Sequence, residues 1–224
     1  MCPCASGCHG SMDMDAFRTV LVLLGLLAYS DWLTRRAGIP LSIAAPLVAA
    51  LIVLMLFVAD FAGVMRIVAQ GLHAGGGILA LAWLMRAWRG AAGAWPGVRV
   101  AGDCMSVGML IAAFYVHQTP GAFSTWDEFA HWGFSIKAIH LADSFHLSPS
   151  PLLLQDYPPA SALFVYFVLL ATGYSEGHAL FAHALLWLVF LMPLWAFARQ
   201  WGWWIAVLVA ACSLYLVRIG TAGA

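Results

Sequence analysis

An all-α polytopic membrane protein is the fold class this sequence predicts, with about seven transmembrane helices and an amphipathic interfacial helix in one long extracytoplasmic loop. Three observations carry that expectation. Of 224 residues, 63% are hydrophobic and 9% are charged, against roughly 45–50% and 25% in a soluble domain. Apolar runs near spanning length recur along the chain. Between them lies one long connection, 118–159, holding four of the ten acids: Asp127, Glu128, Asp143 and Asp156. The same composition excludes a class of partner. Ten Lys and Arg, scattered and offset by ten acids to zero net charge, do not make the cationic surface that nucleic acid needs.

The elements follow in order. Residues 1–16 read as a disordered amino-terminal tail. Its Cys2, Cys4, Cys8 and His9 are capable of binding a soft metal, but the C-x-C-x3-C-H spacing fits no zinc motif and no metal is assigned. Translation beginning at Met12 or Met14 would remove these residues. No cleavable signal peptide is expected, because the n-region is weak and further spans follow. Residues 17–118 form an N-terminal bundle of about four helices, at 17–34, 41–62, 71–88 and 103–118, before the loop at 119–159. Residues 160–224 carry about three more, at 160–174, 178–197 and 202–219. A spanning helix takes about 17–25 residues, so the fourth and fifth segments are short. The stretch "HAGGGILALAW", 73–83, suits close helix approach, whereas a phosphate loop would need a preceding strand.

Six basic residues (Arg35, Arg36, Arg86, Arg89, Arg99, Arg218) fall on one side of seven spans and four (Arg18, Arg66, Lys137, Arg199) on the other. The larger set belongs in the cytoplasm, which puts the amino terminus and the long loop outside. Asp31 and Arg35 stand four apart as a helical ion pair. Asp60 precedes Arg66 near the opposite boundary, and Asp103 is placed to cap the fourth span. These acids read as boundary or packing groups, with a functional reading beside it because intramembrane acids are costly. Cys104 and Cys212 read as small buried hydrophobes. His73, His117, His178 and His183 read as packing or hydrogen-bonding residues. Glu176 reads as a cytoplasmic turn acid, and Trp195, Trp201, Trp203 and Trp204 as interfacial anchors.

The loop opens with "STWDEFAHWGFSIKAIH", 124–140. Residues 124–144 fit one amphipathic helix, with Ser124 or Thr125 as N-cap and Glu128 completing a capping box. On that reading Asp127 and Glu128 only favour a helix start. A second reading uses the faces: Asp127 and His131 are four apart and Glu128 and His131 three apart, so acid and imidazole share a side. Phe129, Trp132, Phe134, Ile136 and Ile139 then supply apolar surface for the interface or for neighbouring helices. A carboxylate held there is placed to take a proton from an incoming nucleophile. The loop closes with "LLLQDYPPASALFVYF", where Pro158 and Pro159 stiffen the approach to the next helix and fix Asp156 and Tyr157 nearby.

The paired stretches "WDEFAHWGFSIKAI" and "DYPPASALFVYF" resemble the first extracytoplasmic loop of the C-type integral-membrane glycosyltransferases, especially the protein O-mannosyltransferase branch and related bacterial lipid-linked sugar transferases. The resemblance covers 125–169, and the chain looks like a short or truncated member. It implies a polyprenyl-phosphate sugar as donor, a lipid groove between spans and a reaction on the non-cytoplasmic side. Asp127 would bind or deprotonate the acceptor hydroxyl, Glu128 would be its partner, and His131 would support the donor phosphate or the acids. Tyr157 stands where the family has His before Pro-Pro, so no proton role transfers to it. Lys137 and His140, with Asp156 and Tyr157, are the candidates for donor binding. Direct displacement would invert the anomeric centre.

The expected function is therefore sugar transfer from a polyprenyl-phosphate donor to a hydroxyl acceptor at a bacterial inner membrane, with the loop facing the periplasm or exterior. Membrane lipid and the lipid-linked sugar are the expected partners. A further membrane subunit is a candidate to supply missing helices, since family members carry more spans. No cofactor is assigned, and the acids lack a ligand set for a divalent metal. The alternative is a non-catalytic structural or assembly subunit; a transporter subunit fits less well, because no polar path runs through the spans.

Overall fold

The computed structural model describes residues 9–89, 111, 115, 121–123, 132–146 and 160–201. Six helices are described: α1 (His9–Ala37), α2 (Leu41–Phe61), α3 (Met65–Trp88), α4 (Gly133–Ala142), α5 (Ala160–Thr172) and α6 (Glu176–Trp201), with no strand among the described residues. Four stretches are long and apolar enough to cross a membrane: Met14–Ala37, Leu41–Phe61, Met65–Trp88 and Glu176–Leu194. The expected segments 103–118 and 202–219 fall outside the described residues, apart from 111 and 115, as do Asp103, Cys2, Cys4, Cys8 and the 203 and 204 tryptophans.

Each long helix is apolar on both faces. In α2, Val48, Ile52, Leu56 and Ala59 are buried at helical spacing, while Leu47, Leu51, Leu54 and Val58 are exposed on the other side. In water that outer face would carry charge; apolar residues all round mark a helix surrounded by lipid or protein. The outer faces of α3 (Ile67, Ile78, Leu81, Trp88) and α6 (Trp187, Phe190, Leu194) follow the same rule. The described helices form a membrane-type bundle.

Two glycine features build it. Gly63 takes φ 68° after α2, with its N–H bonded to the Asp60 carbonyl and that of Val64 to Ala59. This paired closure satisfies the last carbonyls of α2 and reverses the chain within three residues. The third helix accordingly starts at Met65 rather than at 71, and takes Arg66 into its first turn. Further along, α1 and α3 approach at Gly25 and Gly76, where a Cβ on Gly76 would stand 3.2 Å from the Gly25 Cα. Tyr29 crosses the same contact and donates its hydroxyl to the Leu72 carbonyl at 2.9 Å. The expectation of close approach at 73–83 holds there.

At the centre is α5. Residues 162–169 are all buried, and the helix packs against α1, α2, α3, α4 and α6. Its 13 residues extend about 20 Å at 1.5 Å per residue, short of the ~30 Å hydrocarbon core. The described part of the run drawn as a fifth span is thus enclosed by other helices and is by itself too short to cross that core. A second observation agrees. Glu176, expected across the membrane from the loop, accepts a hydrogen bond from the Phe123 N–H of that loop at 2.8 Å. The loop and the start of α6 therefore share one end of the bundle, and Asp15 near the start of α1 bears electrostatically on His178 there.

Of the helix expected over 124–144, the described part runs from Gly133 to Ala142 and packs on α5 and α6. Gly133, Ile136 and Ile139 make its buried stripe, while Phe134 and Leu141 are exposed.

Candidate functional site

Two charges stand at helix ends of the wrong sign. Asp60 is the penultimate residue of α2, at the negative end of that helix dipole, and Arg66 is the second residue of α3, at the positive end. Such placements are unfavourable unless something compensates, and the loop supplies the compensation. The two do not pair with each other.

Asp60 is 1% exposed. Its Oδ1 accepts the Phe145 N–H at 3.2 Å, and its Oδ2 accepts the His146 N–H at 3.3 Å and faces His146 Nδ1 at 2.5 Å. Aromatic rings seal the contact. Phe145 stacks on Phe57 with ring centres 5.3 Å apart and meets Phe61 edge-on, while His146 stacks on Phe61 at an interplanar angle of 14°. The chain reaches this position because Asp143 ends α4 in the left-handed region, φ 50°, and turns residues 144–146 back toward α2. Aspartate is among the few residues besides glycine that adopt that conformation readily.

Asp143 ties the same junction to two further helices. Its Oδ2 accepts from Arg66 Nη1 and its Oδ1 from the Tyr166 hydroxyl of α5, each at 2.8 Å. The Arg66 side chain is 58% exposed, so that ion pair contributes at most about 1 kcal/mol. Tyr166 is fully buried, and its hydroxyl would otherwise face apolar surroundings, so its bond to Asp143 matters more. One turn earlier, His140 lies between Tyr166 and Tyr174, with ring centres 6.3 and 5.4 Å away. Its Nδ1 is buried and has no hydrogen-bond partner among the described residues. Burial pushes the His140 pKa below its ordinary value, with the nearby Asp143 charge opposing and Arg66 adding to the effect.

Asp127, Glu128, His131, Asp156 and Tyr157, with Pro158 and Pro159, lie outside the described residues. Lys137 and His140 are both on α4; Lys137 is exposed, whereas His140 is half-buried beside α5. Asp31 pairs with Arg35 at 2.8 Å as the spacing predicts. His73 packs as expected, stacked on Phe167 at 4.0 Å with Nε2 2.9 Å from the Phe167 carbonyl oxygen. No group of three metal-ligating side chains occurs among the described residues. Sequence reasoning missed Asp143, His146 and Tyr166 as partners. The available signal was the pair of wrongly signed helix ends at Asp60 and Arg66, which require counter-charges or donors from elsewhere.

The site is a junction in which each carboxylate holds a different part of the chain: Asp60 of α2 grips the loop, and Asp143 of the loop grips α3 and α5. Comparison with protein-family models, with curated proteins and with solved structures finds no match to this chain.

Proposed function

We propose that this chain is a membrane glycosyltransferase-like protein, moving a sugar from a polyprenyl-phosphate donor to a hydroxyl acceptor at the outer face of a bacterial inner membrane. The observation that supports the reading is the docking of the loop: α4 packs on α5 and α6, and residues 143–146 are held at the α2–α3 turn. Asp127, Glu128 and His131 precede this anchored segment in sequence, and a lipid-linked donor would follow the apolar helices on which the segment packs. Asp127 binds or deprotonates the acceptor hydroxyl, Glu128 and His131 support it, and Lys137, His140, Asp156 and Tyr157 contact the donor. The acceptor oxygen bonds to the anomeric carbon as the carbon–oxygen bond to phosphate breaks and the phosphate keeps its electron pair, with inversion.

In the topology we propose, 103–118 and 202–219 add two spans and the loop lies outside. Because α6 then starts on the loop's side, Arg199 joins the cytoplasmic set and Arg218 leaves it, and the bias remains six to four. The division into tail, N-terminal bundle, loop and C-terminal helices is kept.

A second reading, a non-catalytic membrane subunit, draws support from the same junction: all four oxygens of Asp60 and Asp143 are engaged within the chain. Sugar transfer by membranes expressing the protein, with labelled polyprenyl-phosphate sugars and a mixed acceptor extract, separates the two. Asp127→Asn at equal expression should lower transfer by at least about 100-fold. Full activity in that variant removes Asp127 from the mechanism, and silence from folded native protein favours the subunit reading.

A further inference from the structure

We infer that Asp60 and His146 form a proton-accepting dyad, in which His146 Nε2 receives the proton of a substrate hydroxyl and Asp60 is the positioning residue behind it. The inference rests on the transferase reading only for which hydroxyl is bound; the dyad itself stands on geometry.

The two nitrogens of His146 have different surroundings. Nδ1 faces Asp60 Oδ2 at 2.5 Å, and an ionised carboxylate can only accept, so Nδ1 carries the hydrogen of the neutral ring. Ser144 Oγ, 3.3 Å from the same nitrogen, offers a second oxygen on that side. Nε2 is left with its lone pair. A half-turn of the ring would put Cδ2 in place of Nδ1 against Asp60 and lose that hydrogen bond, so the contact itself holds the ring's orientation. Around the pair, α2 presents Phe57 and Phe61, and the loop presents Phe145. The charges of Arg66 and Asp143 are directed to each other, and Tyr166 is directed to Asp143.

Exposure completes the pattern. The Asp60 side chain is 1% exposed and that of His146 33%, so a sealed carboxylate lies behind an imidazole that substrate can reach. This is the division of labour a hydroxyl-activating imidazole uses: the buried acid sets tautomer and orientation and offsets the imidazolium that forms, while the outer nitrogen does the proton transfer. The substrate class is a neutral hydroxyl, of a sugar or a lipid. Its O–H proton passes to Nε2 and the bonding pair stays on oxygen. In the proposed transfer that oxygen attacks the anomeric carbon, which leaves Asp127 to bind and orient the acceptor.

The test uses the full chain in lipid nanodiscs with isotope-labelled histidine, reading each ring's protonation by NMR and assigning His146 by the signals lost in His146→Gln. The neutral ring should carry its hydrogen on Nδ1 and none on Nε2, and in Asp60→Asn it should become a mixture of tautomers. A bare Nδ1, a doubly protonated ring, or a tautomer indifferent to Asp60→Asn overturns the dyad. In the transfer assay, His146→Gln should lower kcat by about 100-fold or more with donor KM little changed. Native transfer fully retained in His146→Gln overturns the dyad and leaves the transferase reading intact. The expected tautomer in a protein that transfers no lipid-linked sugar supports the dyad and defeats that reading.

Discussion

Asp60 and Arg66 both hold the loop, but burial makes their contributions unequal. Removing the Asp60 carboxylate as Asp60→Ala leaves the Phe145 and His146 N–H groups and His146 Nδ1 without their acceptor. Each buried unmet donor costs about 1–3 kcal/mol, so the variant should lose at least about 2 kcal/mol. Arg66→Gln removes one partner of a half-exposed pair and should cost less than about 1 kcal/mol. Thermal unfolding of both in detergent checks the order, which would reverse if the exposed pair were the main anchor. His140 adds a pH dependence. Burial lowers its pKa below 6.5 in the folded chain, so below that pH the unfolded chain binds the extra proton and stability falls; above it the contribution is fully present. His140→Gln should flatten the stability profile below about pH 6.5 and leave it unchanged near pH 8.

Among the helices, the α1–α3 contact shows how far residue patterns reach. The run "HAGGG" signals close approach, yet it does not say which glycine makes it. A Cβ on Gly75 would stand 2.5 Å from the Tyr29 hydroxyl, whereas one on Gly77 meets nothing within 4 Å. Gly75→Ala should displace Tyr29 from the Leu72 carbonyl and destabilise the bundle. Gly77→Ala should be neutral or stabilising by up to about 1 kcal/mol, since alanine favours the helix; unfolding midpoints of the two variants test the contrast. The α5 case is different. A continuous apolar run over 162–169 fits a lipid-crossing helix and a protein-covered one equally, because both are apolar on every side. Only the shortness of the segment drawn at 160–174 hinted at the difference.

For the whole molecule, the bundle character and the long helices were legible because the composition admits no other class. The end of the bundle at which the turn before α6 lies was not, since counting alternate crossings carries the reading of one segment forward to every later turn. The contact of Phe123 with Glu176 puts these two residues at one end of the bundle. In a cysteine-free background, Ala122→Cys and Ser175→Cys should therefore label from the same side of sealed vesicles; labelling from opposite sides would restore α5 as a crossing helix. The candidate site was legible in part. Asp60 and Arg66 stood out as charges in apolar runs, but His146 and Asp143 reach them across 86 and 77 residues of sequence, Tyr166 joins Asp143 across 23, and no local pattern encodes such pairings.

The covered position of α5 also bears on how the chain is made. A 13-residue apolar helix has no comfortable place in water, and it is too short to lodge across the bilayer alone. It leaves the ribosome before α6, one of the walls that enclose it. Until α6 arrives, α5 has an open side and Tyr166 lacks its settled surroundings. Biosynthesis therefore sets an order in which α6 closes the bundle, so that a chain stalled before α6 would present α5 to the cell's membrane quality control.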